Sequence, residues 1–227
     1  MITPRLKGIT ELVDRCTIAD IGTDHAYIPI RLAMDGKVKK AIATDKNKGP
    51  IEIAKENVKK YKLDNIIELR CGDGLEPIAV GEAECIIIAG MGGNLIADII
   101  EENIEKAKSA RLILQPMNAQ NELRQRLIDM DFSIEKEELA CEGFKVYNIM
   151  RVIYKPTTKP EKEIFFHLPK ALFSHRLFAM LLDKKEREFR KNLQGQKNSK
   201  TPDVCLVQEY EKLLTELIEI RKNTERM

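Results

Sequence analysis

Five short apolar runs, most of them rich in isoleucine, recur between residues 17 and 114, with helix-patterned segments between them. The runs are Thr17–Ile21, Lys40–Thr44, Ile66–Cys71, Cys85–Ala89 and Arg111–Leu114. Runs this short and this apolar suit strands buried on both faces of a parallel sheet. Between them, Ala26–Met34, Pro50–Tyr61, Asn94–Lys106 and Gln120–Met130 carry helical patterns. Within 50–61, Ile51, Ala54 and Val58 form one apolar face, and Pro50 suits a first helical turn. A leading helix is predicted over Pro4–Cys16, with Leu6, Ile9 and Val13 facing inward. Such a βαβα series implies an α/β fold with right-handed crossovers.

The rhythm then changes. Phe132–Leu139 and Phe144–Tyr154 are β-rich runs joined near Glu142-Gly143, which predicts an antiparallel hairpin. By analogy between fold families, a parallel sheet closed by such a hairpin points to the Rossmann-like class I methyltransferase fold. A dinucleotide-binding sheet usually continues in parallel. The segment Lys155-Pro156-Thr157-Thr158-Lys159-Pro160 reads as a linker. We therefore expect a catalytic domain over 1–158 and a helical domain over 159–227. In the latter, helices over Pro169–Leu193 and Pro202–Lys222 flank a turn at Gly195–Lys200. Leu206, Tyr210, Leu213, Leu217 and Ile220 make a heptad-like stripe, so an α-helical hairpin, or short antiparallel coiled coil, is predicted.

The 227 residues carry a net charge of only +2, which by itself names no partner. Residues 156–227 hold 15 Lys and Arg against 11 Asp and Glu, so the helical part is the basic one. Mixed charge of this kind also covers ordinary solvated helices. No apolar run is long enough for a membrane span, and the start lacks an apolar signal core, so a cytoplasmic protein is expected. The five cysteines are scattered, with no Cys-x-x-Cys pair; they read as small buried side chains in a reducing compartment. The dispersed His25, His167 and His175 give no metal-ligand spacing.

Four strand ends carry acids and glycines. The first strand ends in Asp20-Ile21 and turns through Gly22-Thr23-Asp24-His25-Ala26-Tyr27. Gly22 would bare backbone N–H groups to a ligand. A carboxylate at Asp20 would repel a pyrophosphate but suits a cationic amino-acid ligand such as S-adenosylmethionine. Asp45, with Lys46 beside it, closes the second strand and can accept from ribose hydroxyls. Gly72-Asp73-Gly74 follows the third strand, and Asp73 can accept from an adenine amine. Ala89-Gly90-Met91-Gly92-Gly93 ends the fourth in a thin loop. Each feature alone is commonly a turn or a cap. Four in succession mark a ligand site, because ligands bind at the carboxyl edge of such sheets. The competing dinucleotide fingerprint is absent, since Asp24 and Tyr27 stand where its second and third glycines would be.

The stretches 20–29, Gly72-Asp73-Gly74-Leu75-Glu76, Ile88-Ala89-Gly90-Met91-Gly92-Gly93 and Leu112-Ile113-Leu114-Gln115-Pro116 resemble, in order and spacing, the bacterial tRNA (adenine(22)-N(1))-methyltransferases. The resemblance runs over roughly residues 3–155; the helical tail resembles the family in kind, less in residues. It implies S-adenosylmethionine as donor, no metal, and tRNA as partner, with methylation at N1 of adenine 22 in the D-arm. No obligatory protein partner is evident. The Asn/Asp-Pro-Pro-Tyr/Phe motif of many adenine-N6 enzymes is replaced by Ala89-Gly90-Met91-Gly92.

Asp24, His25, Tyr27 and Asn118 are the expected catalytic or base-facing residues. The alternatives are a helix N-cap for Asp24, a positioning hydrogen bond for His25, core packing for Tyr27, and a turn or cap for Asn118. Expected RNA contacts are Lys184, Lys185, Arg187, Arg190, Lys191, Lys197 and Lys200. Two other readings stand beside this one. The acceptor could be another RNA or a small molecule, or the chain could be a non-catalytic donor-binding or helical module.

Overall fold

A computed structural model describes residues 2–224. The chain divides between Thr158 and Lys159 into two compact units. The first holds α1 (Pro4–Leu12), β1 (Ile18–Ile21), α2 (Tyr27–Met34), β2 (Ala41–Asp45), α3 (Lys48–Lys60) and β3 (Ile67–Cys71). It continues with β4 (Cys85–Met91), α4 (Gly93–Glu102), α5 (Ile104–Lys108), β5 (Arg111–Pro116), α6 (Gln120–Asp129), β6 (Phe132–Glu142) and β7 (Lys145–Tyr154). The strands form one sheet in the order β3-β2-β1-β4-β5-β7-β6. The first five are parallel, and β7 inserts antiparallel between β5 and β6. This is the class I methyltransferase topology expected above.

The two-residue period of the strands sorts their side chains into two cores. Ile21, Ile86, Ile88, Leu112 and Leu114 face one side, where Ile96 and Ile100 of α4 and Leu123 and Leu127 of α6 cover them. Ile18, Ala43, Ile87 and Ile113 face the other, under Ile9 and Leu12 of α1, Ile28 and Leu32 of α2, and Ala54 and Val58 of α3. Both faces are dry, which explains why the strands read as continuous apolar runs.

Two helix boundaries and the burial of the cysteines differ from expectation in this unit and beyond it. The leading helix stops at Leu12, because Lys37 Nζ donates to the carbonyls of Thr10 (2.7 Å) and Val13 (2.9 Å). The helix expected over 94–106 breaks at Asn103, whose amide donates to the Ile99 carbonyl in place of a helical N–H. Of the five cysteines only Cys85 is buried; Cys71 and Cys205 are exposed, and all five are free thiols.

The second unit holds α7 (Ile164–His167), a 3₁₀ turn (Lys170–Leu172), α8 (Phe178–Lys197) and α9 (Val204–Thr224). Helices α8 and α9 form an antiparallel pair, with Arg221 bonded to Asp183 and Glu186 and Asn192 bonded to Tyr210. Leu213, Leu217 and Ile220 of the stripe are buried, as is Leu214. The single helix expected over 169–193 is instead a 3₁₀ turn followed by α8. The break falls at His175, whose Nδ1 accepts from the Leu177 N–H. The turn expected at 195–200 begins only after Lys197, because Gly195 stays helical. Asp203 then caps α9 by accepting from the N–H groups of Cys205 and Leu206. No helix among the described residues is long and apolar enough to cross a membrane.

Candidate active site

In this sheet β1 is flanked by β2 on one side and β4 on the other, so the strand order reverses between β1 and β4. Open α/β sheets bind ligands at the carboxyl ends of the strands beside such a reversal. A cavity of about 390 Å³ lies there. Asp20, Gly22, Asp24 and Tyr27 line it from the first turn, and Ala89, Gly90 and Met91 from the end of β4. Thr3, Arg5 and Leu6 close it from the start of α1.

Asp20 is only 4% exposed. Its Oδ2 accepts from the Thr23 hydroxyl at 2.7 Å. Burial pushes the carboxyl up to about 7, against the opposing pull of that hydroxyl. A buried carboxylate that lines a cavity suits a cationic ligand, whose charge would offset the cost of its burial. Gly22 (φ +69°) and Gly90 (φ +80°) bare the backbone on either side. A Cβ on Gly22 would run into the end of the Met91 side chain, and the left-handed φ of Gly22 itself favours glycine. A buried acid, two bared backbone turns and a neighbouring strand-end acid at Asp45 fit S-adenosylmethionine.

The outward half of the turn is strained. His25 (φ +58°) and Ala26 (φ +57°) are consecutive left-handed residues, and neither is glycine. Such residues cost on the order of 1 kcal/mol each and persist where the surroundings hold them. Here Asn57 of α3 donates to the His25 carbonyl at 3.0 Å. The result aims Asp24 outward, 82% exposed, with its Oδ1 3.0 Å from His25 Nε2. The His25 ring stacks on Tyr27 at 5.2 Å, and Tyr27 is 47% exposed rather than packed in the core. Asp24 does not cap α2: the cap is Ala26, with no side-chain bond.

Asp45, Lys46, Gly72, Asp73 and Gly74 sit at the ends of β2 and β3 on the same sheet edge, outside the cavity lining. Asp45 Oδ1 accepts from the Asn47 N–H at 2.7 Å, which fixes its rotamer. Gly92 and Asn118 lie against each other: a Cβ on Gly92 would stand 3.1 Å from Asn118 Oδ1. The Asn118 carbonyl accepts from the Gly93 N–H, joining the β4 and β5 loops. Asn118 is exposed and does not cap α6.

Two residues of this edge escape a sequence reading. Arg5 donates Nη1 to Gln115 Oε1 (2.8 Å), its N–H to Glu142 Oε1 (3.0 Å), and lies 5.7 Å over the Tyr147 ring. Asn57, the clamp on His25, is the second. On the helical unit, Arg187, Arg190, Lys191, Lys197 and Lys200 are exposed and Lys184 is partly so. Arg190 pairs with Glu186, and Lys197 with Glu211. Lys185 corrects the expected RNA contacts. It is 1% exposed and bonded to Glu188, because it falls on the buried stripe with Phe178, Leu181, Leu182 and Phe189.

A methyltransferase-domain family profile matches residues 2–150. The tRNA (adenine(22)-N(1))-methyltransferase of Bacillus subtilis is 39% identical over 151 residues, 66% of this chain and 63% of that protein. The match thus spans just under two thirds of that relative's length. A Streptococcus pneumoniae protein described as a candidate tRNA (m1A22) methyltransferase, solved with S-adenosyl-L-methionine, superposes with a TM-score of 0.85. It is 30% identical, with 97% of this chain and 99% of that one covered. The solved Bacillus subtilis m1A22 tRNA methyltransferase superposes with a TM-score of 0.81 at 28% identity, covering 99% and 98%. With the class I sheet, the acidic first turn and the glycine loop after β4 in place, the chain belongs to the methyltransferase-domain family and, within it, to the tRNA (adenine(22)-N(1))-methyltransferases.

Proposed function

We propose that the chain methylates N1 of adenine 22 in the D-arm of bacterial tRNA, with S-adenosylmethionine as donor, in the cytoplasm. The observation that carries this is the shared cavity: the donor half of the first turn (Asp20, Gly22) and its outward half (Asp24, Tyr27) line one space with Ala89–Met91. S-adenosylmethionine supplies an electrophilic methyl group on a sulfonium sulfur.

The chain's residues supply position and charge. Asp20 holds a cationic ammonium in the buried end of the cavity. Asp45 accepts from a ribose diol and Asp73 from an adenine amine. Adenine N1 carries its own lone pair, so no covalent enzyme intermediate is required and the gain lies in orientation. Presenting that edge requires the base to leave its stack. Tyr27, backed by His25, offers the exposed ring on which a flipped base can lie. Asp24 faces the position where the N1-methylated base carries positive charge, and can balance it or accept an N6 proton. Asn118 offers amide hydrogen bonds to the same base.

Incubating the protein with methyl-labelled donor and unmodified bacterial tRNA, then mapping the methylated base, tests the reading. Label at N1 of adenine 22 is the expected result. Label on another RNA or a small molecule, or none at all, overturns it.

The helical unit supplies phosphate contacts in this reading. Arg187 and Lys191 are four residues apart on one face of α8, and Lys200 follows its end. Reversing all three to Glu should weaken tRNA binding by about 100-fold at low salt and reduce the slope of log K against log salt by about three. Donor affinity should be unchanged. Filter binding at several salt concentrations measures both, and an unaltered slope removes these residues from the RNA contact.

A further inference from the structure

The hairpin between β6 and β7 turns through only two residues, Gly143 and Phe144, with Glu142 paired to Lys145. Gly143 has φ +59° while Phe144 does not enter the left-handed region, the signature of a type II′ turn. Small polar residues serve such a tip well. This one carries a phenylalanine that is 96% exposed.

Its position is set by register. Leu114 pairs with Met150 in antiparallel fashion, which places Pro116, the end of β5, level with Asn148. Phe144 therefore stands four residues farther out, about 13 Å beyond the carboxyl edge of the sheet at a rise of about 3.3 Å per residue. The base of the tip is tied to the cavity. Glu142 accepts from the Arg5 N–H, and Arg5 lines the cavity while bonding Gln115 at the end of β5. Tyr27 and Met117, two further exposed apolar side chains, follow the ends of β1 and β5 on this same edge. Lys145, the next residue in the chain, adds an exposed cation at the tip.

We infer that Phe144 is a substrate-contacting residue: its ring stacks on a nucleobase of the RNA outside the target adenine, with Lys145 on the adjoining phosphate. The inference rests on the tRNA reading above. Single-stranded and looped nucleotides are bound in this way, by aromatic faces flanked by positive charge, and any base can serve. A protein partner would use the same ring, but the turn offers it one apolar side chain next to a lysine, and nothing of the area a stable protein interface requires.

The chain contains no tryptophan, so Phe144→Trp creates a unique emitter at the tip. A Cβ built on the neighbouring Gly143 meets nothing within 4 Å, so the turn has room and neither substitution at the tip should disturb folding. Titration of F144W with unmodified tRNA should quench its emission at the concentration where labelled tRNA binds. Phe144→Ala should raise the KM for tRNA by roughly 5- to 100-fold, the worth of one stacked base, with kcat and donor affinity within twofold. If either arm fails while the wild-type protein still binds tRNA, the Phe144 assignment falls and the tRNA reading stands. Wild-type protein that binds no tRNA overturns both. Self-association that F144A abolishes assigns the tip to a second copy of this chain and also overturns it.

Discussion

Asp20→Asn should abolish donor binding and, at the same time, make the ligand-free protein more stable. The Asp20 carboxyl is buried and titrates near 7, against an ordinary 3.8. Burial disfavours its charged form, and the single Thr23 hydroxyl only partly offsets this. The sign follows from proton linkage. With the folded value raised, the group's stabilising contribution is complete below about pH 4 and is lost as pH rises through 7. At pH 8 the ligand-free fold therefore carries an ionised buried carboxylate at a cost of up to about 4 kcal/mol, at about 1.36 kcal/mol per pH unit. Asparagine keeps the shape and can still accept from Thr23, but it cannot ionise. Its melting temperature should exceed the wild type's at pH 8, and the difference should shrink toward pH 5. Donor affinity should fall at least 100-fold, because the cation loses its partner. In the wild type, donor binding should weaken about tenfold per unit below pH 7, where binding must displace a proton. Calorimetric titration and thermal melts across pH 5–8 measure all three. Donor affinity in D20N within threefold of wild type at pH 8 would remove Asp20 from the donor site.

The same residue shows what a linear reading can reach. The strand ends of the sheet were legible because a doubly buried strand must be apolar and must stop where polar residues begin. Asp20, Asp45, Asp73 and the Ala89–Met91 loop all lie on that edge for this reason. The strain at His25-Ala26 was not legible. Neither residue is the glycine that would announce a left-handed turn, and the clamp comes from Asn57, 32 positions away. Arg5 was hidden for a similar reason, since Gln115 and Glu142 lie 110 and 137 positions from it. Lys185 was a different kind of miss. Its spacing of four from both Leu181 and Phe189 places it on the apolar stripe of α8, and that periodicity outweighs its charge.

Asp24→Asn should leave the fold and the donor site intact and cost about 10²- to 10³-fold in kcat on tRNA, the usual contribution of a positioned acid–base group. The geometry separates this role from a structural one. Asp24 is largely exposed, its carboxylate meets His25 at 3.0 Å, and α2 begins without any side-chain cap. Were Asp24 a cap, Asp24→Ala would lower stability by about 1 kcal/mol and asparagine would restore it. We expect instead that both variants melt like the wild type, bind donor with wild-type affinity and turn over slowly. Single-turnover methylation with saturating tRNA isolates this step from product release. D24N at the wild-type rate would end the proposal. A D24N defect confined to the KM for tRNA would make Asp24 a binding residue. A kcat defect with unchanged melting and donor affinity leaves the strained turn one purpose: to hold a carboxylate over the base edge, where positive charge appears as N1 is methylated.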